Sequence, residues 1–80
     1  MIYVLYYINE DMVKDYITSK NMSYKDFSIE ANIPETLVKK IIEDKQSISL
    51  HYLIGIARVL GVYWSQLVLD VDYPDTVHQK

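Results

Sequence analysis

Eighty residues make one domain, and a hydrophobic content of 50% supplies a core and excludes disorder. Without cysteine there is no disulfide and no thiolate metal site, so stability must come from helix packing or association. The formal net charge of −3 excludes a general polyanion grip, because phosphate affinity rests on Lys and Arg.

The opening run Ile2-Tyr3-Val4-Leu5-Tyr6-Tyr7-Ile8 is apolar. It has no basic start and no small-residue cleavage site, so it does not read as a leader. It is also far short of the ~20 apolar residues of a membrane span. Tyr, Val and Ile suit a pleated surface, so residues 1–8 are expected to hold a short N-terminal β-strand.

Five helical segments follow in residues 9–69. The first covers about Glu10 to Lys20, with Asn9 as N-cap and Val13, Tyr16 and Ile17 on one face. The second starts at Ser23, where Ser23-Tyr24-Lys25-Asp26 is a capping-box pattern. It turns Phe27 and Ala31 inward and closes on Asn32, a residue that tolerates the left-handed conformation. The third opens at Pro34 as first helical residue and buries Val38, Ile41 and Ile42. The fourth follows Ser49 as N-cap. Leu50, Leu53, Ile54, Ala57 and Leu60 make its amphipathic stripe, and Gly61 ends it. A short fifth helix covers about Trp64 to Leu69, with Trp64 capping the core. The tail, residues 70–80, begins with the alternation Leu69-Asp70-Val71-Asp72-Tyr73, which reads as a short strand or a loose end.

Met22-Ser23, Phe27-Ser28, Asn32-Ile33, Ser49-Leu50, Leu53, Ile56-Ala57, Leu60-Gly61-Val62 and Leu67 fall in order without a gap. With the Ile33-Pro34-Glu35-Thr36-Leu37 opening of the third helix, this set resembles the Cro/CI-type (Xre-type) helix-turn-helix regulators. The resemblance covers a little over half of the chain. Tyr24 stands where that family often has Gln, Asn32 at its turn glycine, and Asp44 at the glycine after the third helix.

The resemblance implies a mostly helical, phage-repressor-like domain that binds double-stranded DNA as a homodimer on paired half-sites. It places Glu35, Thr36, Lys39 and Lys40 at base edges, where Lys donates to guanine, Glu accepts from cytosine and Thr meets a thymine methyl. It places Ser23, Tyr24, Lys45, Gln46 and Ser47 at the phosphate backbone. Two other readings of these residues stay open. Charged helix faces are commonly just solvated, and Ser23 can serve only as a cap.

Residues 12–69 carry seven basic and six acidic side chains, a balance that predicts weak or tightly sited binding. His51 and His78 lie far apart in sequence, and no G-x-S-x-G or glycine-rich phosphate loop occurs. No enzyme activity, metal, cofactor, small-molecule substrate or membrane is therefore expected, and the setting is a reducing cytoplasm. The rival expectation is an inhibitor or antirepressor that uses the acidic surface of the same fold. The N-terminal strand, Ile2 to Ile8, is expected to help hold the dimer, pairing with Leu69 to Tyr73 and completing a larger sheet with a second copy; packing on its own helices is the alternative.

Overall fold

Caps decide where each helix begins and ends. A computed structural model describes residues 4–72. Ile2, Tyr3, Tyr73 and the expected tail beyond it lie outside the described residues. The order is β1 (Leu5–Ile8), α1 (Glu10–Lys20), α2 (Tyr24–Ala31), α3 (Glu35–Asp44), α4 (Leu50–Leu60), α5 (Trp64–Leu67) and β2 (Val68–Asp72).

Asn9 caps α1 by accepting the Asp11 N–H at 3.2 Å, and Asn21 closes it with φ of 54°. Both capping-box bonds of α2 form: Asp26 N–H to Ser23 Oγ at 3.0 Å, and Ser23 N–H to Asp26 Oδ2 at 3.2 Å. Asn32 then turns left-handed with φ of 58°. Pro34 sits one residue earlier than expected, as the extended N-cap of α3. The left-handed residue after α3 is Lys45 (φ 54°), not Asp44, which stays helical. A non-glycine residue there costs roughly 1–2 kcal/mol. Ser49 precedes α4, but its hydroxyl makes no capping bond; Gly61 closes the helix with φ of 75°.

The core joins Val13 and Ile17 of α1, Phe27 and Ala31 of α2, and Val38, Ile41 and Ile42 of α3. Leu53, Ile56 and Ala57 of α4 and Leu67 of α5 complete it from the helices, with Ile8, Ile33 and Ile48 sealing its margin. The stripe on α4 therefore differs from the expected one. Leu53 and Ala57 are inside, Ile56 joins them, and Leu50 and Ile54 are exposed. Apolar residues surround most of α4, so its spacing admits more than one inward face. Tyr16 links α1 to α2 by donating to Glu30 Oε1 at 3.4 Å. Partial burial, with the Glu30 carboxylate beside it, raises its phenol above the ordinary value.

The strands come together as an antiparallel two-stranded ribbon, pairing Leu5 with Asp72, Tyr6 with Val71, Tyr7 with Asp70 and Ile8 with Val68. The register shift leaves Leu69 as a bulge. Because Val68 is drawn into this ribbon, α5 stops at Leu67 rather than running to Leu69. On its other side Tyr6 exchanges two backbone hydrogen bonds with Ile48, at 2.8 and 2.9 Å. Trp64 does not plug the core. It is 43% exposed and meets the Tyr6 ring edge-on, with centroids 6.0 Å apart. Among the described residues no helix is long and apolar enough to cross a membrane.

Candidate nucleic-acid interface

Asn32, Ile33 and Pro34 join α2 to α3 in a tight turn. Ile33 is buried, and its N–H bonds to Ser28 O at 3.0 Å, which pins the turn to the end of α2. Pro34 fixes its own φ at −63° and launches α3. Burying Val38, Ile41 and Ile42 then turns the opposite face of α3 outward. Thr36, Lys39 and Lys40 are exposed there, and Glu35 is exposed at the start of the helix.

Glu43 is exposed on the same helix, four residues after Lys39 and three after Lys40. That spacing sets a carboxylate beside both lysines. Glu43 lies beyond the N-terminal half of α3, where the resemblance places the base contacts. The i+3 and i+4 spacing was the available signal.

The expected backbone contacts divide into two groups. Lys45 and Gln46 are exposed just beyond the end of α3. The Lys45 Nζ lies 3.8 Å from Glu10 Oε1 on α1, an ion pair whose lysine side chain is 75% exposed. Ser47 is half-buried instead, and its hydroxyl donates to Asp72 Oδ2 of β2 at 3.3 Å. At the start of α2, the Ser23 hydroxyl serves as the N-cap. Tyr24 is half-buried against the core. Helix geometry leaves the Tyr24 and Lys25 N–H groups without intrahelical acceptors. Asp26 places a carboxylate in that first turn.

The surface is thus an outward face of mixed charge on α3, flanked by one basic turn. Among the described residues, no group of three or more His, Asp or Glu side chains is placed to hold a metal ion. No family model, curated protein or solved structure matches this chain.

Proposed function

We propose that the protein is a small repressor-like regulator that binds double-stranded DNA sequence-specifically, as a homodimer in the cytoplasm. One observation carries the reading. Thr36, Lys39 and Lys40 project from the outward face of α3, Glu35 is exposed in its first turn, and a pinned turn holds α3 to α2. Such a helix presents side chains to base edges when it lies in a major groove. Lys39 and Lys40 donate to guanine O6 and N7, Glu35 accepts from cytosine N4, and Thr36 meets a thymine methyl. Lys45 and Gln46 take a phosphate strand. The Lys25 side chain and the first-turn N–H groups of α2 take another, against the opposing charge of Asp26.

Titration against DNA from upstream of its own gene, at two salt concentrations, tests this. Each phosphate neutralised contributes about −0.9 to the log–log salt slope. Lys40→Ala is expected to relax preference at one base position, at roughly 1–3 kcal/mol. Lys45→Ala is expected to weaken all sequences alike and to reduce the slope by about one. Equal behaviour of the two variants removes α3 from the groove.

The Lys45–Glu10 pair gives a sharper expectation. Glu10→Gln releases the ammonium from its carboxylate, and an exposed pair is worth about 0.2–1 kcal/mol. DNA affinity should therefore rise by up to roughly fivefold at low salt, with the gain shrinking as salt is added. An unchanged or lower affinity means that Lys45 does not face phosphate.

A second reading is favoured by the acids on the same surface. Glu35, Glu43 and Asp26 are all exposed, and Lys45 is already paired. That arrangement suits an inhibitor or antirepressor that docks on a basic protein surface. Absence of binding to any fragment of its own locus, or a flat salt response, selects it.

A further inference from the structure

A cavity of about 310 Å³ opens between the ribbon, the start of α1 and the end of α3. Tyr7 and Ile8 of β1, Ile41 of α3 and the bulged Leu69 give it apolar walls. Glu10, Lys45 and Asp70 bring charge to it. We infer that this cavity binds a small primary amine with an apolar body, whose ammonium group takes the place of Lys45 on the Glu10 carboxylate.

Charge sets the sign of the ligand. Two carboxylates and one ammonium line the cavity, which leaves one negative charge in excess. The two members of the ion pair are held differently: the Glu10 side chain is only 13% exposed, that of Lys45 75%. The carboxylate belongs to the wall, whereas the ammonium rides on a flexible stem in water. Their 3.8 Å separation is longer than the ~2.7–2.9 Å of a charge-assisted hydrogen bond. Glu10 takes part in none of the side-chain hydrogen bonds among the described residues. An incoming ammonium can close to that shorter distance, and Lys45 returns to water at little cost, because exposed pairs are weak. A carboxylate ligand would instead meet Glu10 and Asp70 as like charges.

The walls set the body. The volume stands at the small end of ligand pockets. At ~30 Å³ for each water-sized unit, it holds roughly ten non-hydrogen atoms. The bulge takes Leu69 out of the strand ladder, and its side chain lines the cavity instead, 64% exposed. A ligand seated there covers Leu69 and Tyr7, removing apolar surface from water. Tyr7 also supplies an aromatic ring to a nearby cation. Lys45 and Gln46, which line the same cavity, are the residues assigned above to a phosphate strand. Resting on that DNA reading, the amine frees Lys45 for phosphate, so amine and DNA each strengthen the binding of the other.

The test is a titration of the isotope-labelled full chain with phenethylamine, read from its amide chemical shifts. Shifts should gather at Tyr7, Ile8, Glu10, Ile41 and Leu69, with a dissociation constant of about 0.1–1 mM for a ligand of this size. Phenethyl alcohol, which keeps the ring and loses the charge, should bind at least ~10-fold more weakly, and phenylacetate more weakly still. Glu10→Gln should lower the amine affinity at least ~10-fold, whereas Lys45→Ala should hold or raise it, by up to roughly fivefold. Leu69→Lys, at an exposed position, should block the cavity with its own ammonium, and serves if Glu10→Gln loses its helical circular dichroism. Absence of shifts at about 10 mM phenethylamine overturns the proposal. So do equal affinities for the amine, the alcohol and the acid, an amine affinity that survives both Glu10→Gln and Leu69→Lys, or one that falls in Lys45→Ala. A DNA titration with and without phenethylamine keeps the two readings apart. A rise of up to roughly fivefold in DNA affinity at low salt, absent in Glu10→Gln, supports both. Amine binding of the expected pattern by a protein that binds no DNA upholds the cavity and removes the DNA reading.

Discussion

Phe27→Ala is expected to remove a large share of the stability of the domain. Phe27 is fully buried, at the point where α2 meets the other helices, and its ring meets Tyr16 edge-on with centroids 6.0 Å apart. Truncation of a buried phenylalanine typically costs about 3–5 kcal/mol, through lost transfer energy and the cavity left behind. A domain of this length holds roughly 4–12 kcal/mol in total. The substitution therefore removes a large share of the stability, and without cysteine no disulfide compensates. Urea titration followed by circular dichroism should show a much lower midpoint, or a melting temperature lower by ~15 °C or more. A fall of less than about 5 °C would mean that the core is far looser than described.

Gly55→Ala is expected to destabilise, against the usual sign of that change in a helix. Alanine is ordinarily better than glycine in a helix interior by about 1 kcal/mol. Here a Cβ on Gly55 would lie 2.6 Å from the Ala31 carbonyl oxygen. That atom is backbone and cannot rotate away. Either α4 or the end of α2 must retreat, which loosens the packing among Phe27, Leu53 and Ile56. Overpacking of this kind costs typically 1–3 kcal/mol. A net loss of up to about 2 kcal/mol follows, read as a fall in melting temperature of up to roughly 15 °C. Gly61→Ala is the control: a Cβ there meets nothing within 4 Å, and only its left-handed φ is penalised. A stabilised Gly55→Ala protein would refute the close approach of α2 and α4.

Features with local causes were legible in the sequence. Asn9, Ser23 with Asp26, Asn32 and Gly61 each act within a few residues, and the helix ends they mark agree with the structure to within a residue. The pairing of the two end strands was also open to reading, from two short apolar runs with no other partner. What depended on neighbours was not. The inward face of α4 is set by what packs on it, because Leu50, Ile54 and Ile56 are equally apolar. Val68 reads as helical until Ile8 pairs with it. The site divides in the same way. Exposure of Thr36, Lys39 and Lys40 follows from helical period alone, whereas Glu35 shares the row of Val38 and Ile42 and is exposed because it opens the helix. The ties of Lys45 to Glu10 and of Ser47 to Asp72 join distant parts of the chain, and spacing carries no trace of them.

The ribbon has a kinetic consequence. Its strands come from opposite ends of the described chain, so pairing closes nearly the longest loop available and carries the largest closure entropy. The helices pack through nearer neighbours and form first; the ribbon is the last element to zip and the first to open. Tyr6 and Ile48 hold the segment after α3 to that ribbon. The turn with Lys45 and Gln46 is thereby tethered to β1 through Ile48, while the Gln46 N–H stays on Lys40 O at the end of α3. β1 and β2 thus act as a clasp beside that turn.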